Sequence, residues 1–265
     1  MLKYIISIYT FIFSRKIFYK YNRLMHLLSL HAIGILNYKN NKQSDEEFFL
    51  KNELSSLLDG VVLDVGANVG NYCVSLRGLN TECKIYAFEP HPLTYSRLIQ
   101  NTKSLDVKTF NFGVGRDEGE LTLFDYAGND GSEHASLHEG VIEKIHKGEA
   151  VGHKVRILSL DNFVKQEKLG KIALLKIDTE GHELEVLHGA KNLLTRGDIA
   201  IIHLEFNEMN VISRVFFKDI WDLLPNYDIY RMLPSGLLHI KSYRPVDCEL
   251  FAYQNIVAKI KKNYA

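Results

Sequence analysis

The chain has 265 residues, 46% of them hydrophobic, enough to fill a core and to exclude a largely disordered protein. Lysine plus arginine and aspartate plus glutamate stand at 32 each, so the chain as a whole lacks the basic excess of a nucleic-acid binder. The charge is unevenly spread: residues 1–44 carry seven basic side chains and no acidic one, and the remainder carries 25 basic against 32 acidic.

Residues 1–44 are expected to form a basic, aromatic helical extension to a domain spanning residues 45–265. The apolar run Tyr4–Phe13 has ten residues before Ser14-Arg15-Lys16, whereas a membrane-spanning helix needs roughly 20. A second apolar stretch, Leu24–Leu36, is interrupted by His26 and His31. Bulky basic residues follow Phe13 where a signal peptide would carry small ones, which argues against secretion. The extension then either packs on the main domain or a partner subunit in an oligomer, or lies on an anionic membrane surface. Cys73, Cys83 and Cys248 are odd in number and have no CxxC spacing. Neither a disulfide framework nor a zinc ribbon fits, and a reducing, cytoplasmic setting does, with or without peripheral contact at the inner membrane surface.

From residue 45 onward, strand-length apolar runs alternate with segments of helical period, as in a parallel sheet covered by helices on both faces. The expected helices are Asp45–Leu58, Asn71–Arg77, Pro92–Lys103, Glu183–Leu194 and Arg214–Leu224. The expected strands are Val61–Val65, Lys84–Phe88, Lys108–Phe112, Ile172–Ile177 and Ala200–Glu205, each followed by Gly, Pro, Asn or acidic residues. Continuous apolar runs such as Ile199–Ile202 suit strands buried on both faces. The margins read as antiparallel: Glu120–Tyr126 alternates, and Tyr227–Met232 pairs with Glu249–Lys259 across a turn at Pro234-Ser235-Gly236. Gly128–His153 is a polar loop until Val141–Ile145, of the length that often covers a binding site.

The stretch Leu63-Asp64-Val65-Gly66-Ala67-Asn68-Val69-Gly70 turns from a buried strand into a helix at the end of the sheet where ligands bind in such folds. Gly66 permits a turn closed to other residues, and Gly70 lets the next helix approach. No Gly-Lys-Ser/Thr follows, so this is not a nucleoside-triphosphate loop; Asn68 replaces the second glycine of a dinucleotide fingerprint and disfavours a pyrophosphate. Glu89, 23 residues beyond Gly66 and at the end of the next strand, is placed to accept hydrogen bonds from an adenosine ribose.

These segments, Val61–Tyr72, Ile85–Pro92, Leu174–Ala190 and Ile201–Phe206, resemble the successive signatures of FkbM-type methyltransferases, within the class I S-adenosylmethionine-dependent fold. The Lys-Ile-Asp-Thr-Glu-Gly-x-Glu run at residues 176–183 is the most specific of them, and the resemblance covers about Leu57 to Glu208. It implies a Rossmann-like, seven-stranded, mostly parallel α/β sheet with one antiparallel edge strand. It also implies S-adenosylmethionine as methyl donor, its methionine end at the Asp64–Gly70 loop and its ribose at Glu89. The acceptor implied is a hydroxyl on a sugar, glycan or glycan precursor.

Within that framework Asp178 is expected near the donor's amino-acid end or the acceptor hydroxyl, with Glu180 or His182 as base. Glu205 and Asn207 are expected to line the acceptor side, because an acid after Ile201-Ile202-His203-Leu204 is costly to bury unpaired. Asn111 and Gly113 either approach the adenine or form a simple turn, and Ser136 matches a serine-bearing region of the family. Plainer roles stand beside these: Glu180 as a residue favourable to a helix N-terminus, His182 as a packing histidine. Asp178, Glu180 and Glu205 also have the oxygen chemistry of a divalent-cation site, but no metal is assigned because methyl transfer does not require one. His134, His138, His146 and His153 do not have the spacing of a zinc signature. Two rivals remain: an NAD-dependent oxidoreductase on a related fold, and a non-catalytic methyltransferase-like subunit.

Overall fold

The apolar run Ile172–Ile177 is buried along its whole length and lies inside the main sheet, where both faces are covered. The computed structural model describes residues 1–37, 45–53, 60–79, 82–127, 131–132, 135–138, 140–145 and 147–264. His134, His146 and residues 54–58 of the expected helix Asp45–Leu58 lie outside the described residues.

In chain order the strands are β1 (Val61–Val65), β2 (Lys84–Phe88), β3 (Val107–Phe110), β4 (Gly113–Val114), β5 (Gly119–Tyr126), β6 (Ala150–Leu158), β7 (Ile172–Ile177), β8 (Ile199–Phe206), β9 (Tyr227–Leu233), β10 (Gly236–His239) and β11 (Gln254–Ile260). The α-helices are α1 (Leu2–Phe13), α2 (Tyr19–Ala32), α3 (Asp45–Glu53), α4 (Asn71–Gly78), α5 (Pro92–Thr102), α6 (Leu160–Gln166), α7 (Glu183–Gly189), α8 (Lys191–Arg196), α9 (Met209–Ser213), α10 (Phe217–Leu223) and α11 (Pro245–Cys248).

The main sheet has eight strands in the order β10-β9-β11-β8-β7-β1-β2-β3. β3, β2, β1, β7 and β8 run parallel, and β11 is inserted antiparallel between β8 and β9. Tyr227–Leu233 does pair with β11, but the turn at Pro234-Ser235 leads instead into β10, an eighth strand that folds back on β9 at the edge. The reversed β11 is thus internal, and the antiparallel strand at the sheet's edge is the short β10.

Helices cover both faces. Phe49 and Leu50 of α3, Tyr72, Cys73 and Leu76 of α4 and Leu98 of α5 pack on one side. Phe163 of α6, Val186 and Leu187 of α7, Leu193 and Leu194 of α8 and Phe217 and Ile220 of α10 fill the other. The expected helix Glu183–Leu194 is two helices, broken at Ala190 (φ −107°, ψ 13°) next to Gly189, where a Cβ would fall 2.1 Å from the Gly115 carbonyl oxygen. The expected helix Arg214–Leu224 likewise starts later. Arg214 has φ +59°, and α10 is capped where the Asp219 carboxylate accepts from the Phe216 N–H at 2.8 Å.

Glu120–Tyr126 is a strand, but of a separate three-stranded sheet, β4-β6-β5, not the margin of the main one. Its partner β6 begins inside the segment read from sequence as a polar loop, at Ala150, and runs past its end to Leu158. That small sheet follows β3 in the chain, and the described residues 131, 132 and 135–138 belong to its β5–β6 connection. Ser136 and Phe124 exchange backbone hydrogen bonds at 2.8 and 2.9 Å. No described helix is long and apolar enough to cross a membrane.

Candidate active site

At the end of β1 the chain turns at Gly66 with φ +79°, and the N–H groups of Gly66 and Ala67 both donate to the Phe88 carbonyl at the end of β2. A Cβ on Gly66 would lie 1.7 Å from the Asp178 carbonyl oxygen, so the loops after β1 and β7 touch backbone to backbone. Asn68 follows at φ +48°, and its N–H donates to Glu89 Oε2 at 3.0 Å. Gly70, at φ +91°, precedes α4 and presses against Leu98 and Thr102 of α5.

Glu89 is buried, its second oxygen accepting from the His91 N–H at 2.8 Å. Burial pushes its carboxyl up to about 7 against the opposing effect of those two hydrogen bonds. Asp64, 1% exposed, is pushed up to about 6 by burial, held from rising further by the Lys176 ammonium and by the Cys73 thiol, which donates at 3.2 Å. Two carboxyls of this kind beside a cavity suit a polar, partly cationic ligand.

The last turn of β7 supplies the opposite charge. Lys176 is 4% exposed, 3.1 Å from Asp178 Oδ2 and 5.7 Å above the Tyr72 ring. Burial alone would lower its ammonium, but the carboxylates of Asp178, Glu46, Glu205 and Asp64 hold it above its ordinary value. Behind it Tyr72 OH is hydrogen-bonded to His203 Nδ1 at 3.3 Å, and His203 Nε2 to Asn255 Oδ1 at 3.0 Å.

The turn Asp178–His182 is clamped by Glu183. One oxygen of Glu183 accepts from the Thr179 N–H, the Thr179 hydroxyl and the Gly181 N–H, each at 3.1 Å. Glu180 sits at φ +50° and Gly181 at φ +100°, and the Ser136 hydroxyl donates to the Glu180 carbonyl at 2.7 Å. His182, next in the chain, is buried, and neither ring nitrogen has a hydrogen-bond partner among the described residues. Burial, helped by His138 with its ring 6.0 Å away, pushes His182 down to about 4, so it is neutral at physiological pH. Glu205 is raised well above the usual carboxylate range by burial and by Asp178, and it accepts from Asn207 Nδ2 at 3.3 Å.

These groups converge on one cavity of about 870 Å³ at the carboxyl ends of the parallel strands. Of the residues singled out from sequence, Asp64, Gly66, Asn68, Glu89, Gly113, Asp178, Glu180, His182, Glu205 and Asn207 line it. Gly70, Asn111 and Ser136 stand behind the wall. Gly70 packs two helices together, Asn111 Nδ2 donates to the carbonyls of Glu89 and Pro90 at 2.9 and 3.0 Å, and Ser136 fixes the Glu180 turn. His138 sits beside His182, whereas His153 stacks edge-on against His91. Among the described residues no group of three His, Cys, Asp or Glu is arranged to hold a metal ion.

Lys176, Tyr72 and the clamping role of Glu183 were missed from sequence. The signal for Lys176 was present: a lysine inside an otherwise apolar strand needs a buried counter-charge, and Asp178, two residues on, is on the same face.

A parallel sheet with one inserted reversed strand, a glycine turn after the first strand and an acid after the second define a Rossmann-like protein of the methyltransferase class. The chain belongs to the methyltransferase FkbM domain family, whose model matches residues 64–231. Hexuronic acid methyltransferase AglP of Haloferax volcanii is 28% identical over 149 residues, 55% of this chain and 56% of that protein. The 2-O-methyltransferase NoeI of Sinorhizobium fredii is 24% identical over 188 residues, 68% of this chain and 76% of that protein. Methyltransferase sdnD of Sordaria araneosa is 31% identical over 153 residues, 48% and 59% of the two chains. The match thus spans little more than half the length of the first and third of these relatives.

Proposed function

We propose that the protein transfers the methyl group of S-adenosylmethionine to a hydroxyl oxygen of a sugar, glycan or glycan-precursor acceptor. The observation that carries this is the meeting of the Gly66 turn, the buried Glu89 and the Asp178–His182 turn around one cavity in a chain of the FkbM family. The sugar part rests on two of the relatives, one named for hexuronic acid and one for 2-O-methylation.

The donor's sulfonium supplies an electrophilic methyl carbon. Glu89 keeps lone pairs for the ribose hydroxyls after accepting from Asn68 and His91. Asp64 and Asp178 offer carboxyl oxygens to the ammonium of the donor's amino-acid end. Both fit the group by charge, and the cavity has the size of a cofactor site.

An aliphatic hydroxyl attacks poorly until its proton has somewhere to go. Neutral His182, a residue of the cavity wall whose buried ring nitrogens have no partner among the described residues, is the group we assign to take it. Glu205 and Asn207 orient the acceptor from the end of β8, and Ser132, Ala135 and Leu137 help to exclude water on the other side. The three buried, unbridged cysteines support a reducing, cytoplasmic setting.

Calorimetric titration with S-adenosylhomocysteine tests the donor site. Micromolar binding by the wild type, lost in Glu89→Ala, is the expected result. A folded wild-type protein that binds none of it would overturn the proposal.

A further inference from the structure

α1 is apolar on nearly every side, broken only by Lys3, Ser7 and Thr10, yet none of its twelve residues is buried. Leu2 is 70% exposed, Tyr4 77% and Phe11 76%. A helix that is apolar all round belongs in a core or in lipid, and the described residues of the domain bury none of this one. α2 is mixed, with Lys20, Arg23, His26 and His31 in its sequence, but it too has no buried residue, and Leu24, Met25 and Leu28 are exposed.

The two helices nevertheless form a built elbow. Tyr9 OH donates to Asn22 Oδ1 at 2.6 Å, and Asn22 Nδ2 donates to the Phe13 carbonyl at 2.9 Å. The Phe13 ring stacks on Tyr9 and Tyr21 and meets Phe18 edge-on. The elbow is also tied to the domain: Ile35 is fully buried, and the Leu36 N–H donates to the carbonyl of Tyr253, a residue of the cavity wall, at 2.8 Å.

We propose that this elbow docks on an anionic lipid bilayer, lying in its interface. A twelve-residue helix is about 18 Å long against a hydrocarbon core of about 30 Å, so α1 lies along the surface and does not span it. Lys3, Arg15, Lys16, Lys20 and Arg23 accompany the apolar surface with no acid among residues 1–44, the charge pattern that anionic lipid headgroups complement. The same pattern disfavours a second copy as the occupant, because two such surfaces would face each other with cations alone. Tyr4, Tyr19 and Tyr21, all exposed, have the amphipathic rings that settle at headgroup depth.

Flotation of the full chain with vesicles tests this, comparing phosphatidylcholine alone with phosphatidylcholine mixed with phosphatidylglycerol. Binding is expected only to the mixed vesicles, weakened by salt. It should fall at least about tenfold in Arg15→Glu/Lys16→Glu, which reverses two of the attracting charges. Ile5→Glu/Phe11→Glu, at exposed positions, should abolish it while S-adenosylhomocysteine binding stays at the wild-type level, or, if the wild type binds none, while the circular dichroism spectrum is unchanged. No binding to mixed vesicles, equal binding to both kinds, or a dimer in size exclusion that the same substitutions dissolve would each overturn the proposal.

Discussion

The Lys176 ammonium lies 3.1 Å from the Asp178 carboxylate, two residues apart on one face of the strand end, with Asp64 and Glu205 also acting on it. One buried cation therefore serves several carboxyls that the cavity needs close together. Lys176→Met should destabilise the protein by about 2–3 kcal/mol in urea unfolding, less than a wholly buried pair because the Asp178 side chain is 37% exposed. A variant as stable as wild type would show that the carboxyls take up protons and do without it.

Gly66→Ala should cost more than about 3 kcal/mol, because the new Cβ meets the Asp178 backbone and φ +79° is strained for any side chain. Gly78→Ala, with nothing within 4 Å of its Cβ, is the matched control and should change stability by no more than about 1 kcal/mol. Equal unfolding midpoints for the two variants would contradict the backbone contact between the loops.

Glu89 binds its proton more tightly in the folded chain, near 7, than the ordinary value of 4.5. Its contribution to the stability of the ligand-free protein is therefore fully present below pH 4.5 and is lost as pH rises through 7. The loss should amount to about 2–3 kcal/mol. Urea unfolding at pH 5 and pH 8 should show this fall in the wild type and a correspondingly smaller one in Glu89→Gln. Parallel pH dependence in the two proteins would mean that Glu89 does not titrate there.

Because His182 is held down to about 4, the acid limb of kcat should lie well below the ordinary histidine value of 6.5. His182→Gln should lower kcat by about 10²–10⁴ while leaving S-adenosylhomocysteine affinity within a few-fold. Unchanged kcat would return His182 to the role of a packing residue.

The strands that hold the cavity were legible because they are buried on both faces: Val61–Val65, Lys84–Phe88 and Ile172–Ile177 occur with the expected bounds. β6 was not, because Ala150–His153 is only half-buried and forms no continuous apolar run, and only Val155, Ile157 and Leu158 beyond it are buried. Asp178, Glu180, His182 and Glu205 could be gathered from sequence because strand ends in such sheets point to a common edge. What holds them could not: Ser136 reaches Glu180 across 44 residues of sequence, through a small sheet whose middle strand had gone unseen.

The contact between Gly66 and Asp178 welds the turn after β1 to the turn after β7, and both hang from the central strands. The opposite wall, with Ser132, Ala135 and Leu137, hangs from the small accessory sheet. On the proposed reading, the donor side and the acceptor-orienting Glu205 and Asn207 belong to the scaffold, whereas the water-excluding wall belongs to the accessory sheet. Changes in the β5–β6 connection then alter the closure of the cavity without touching the backbone contact that holds the turns after β1 and β7 together.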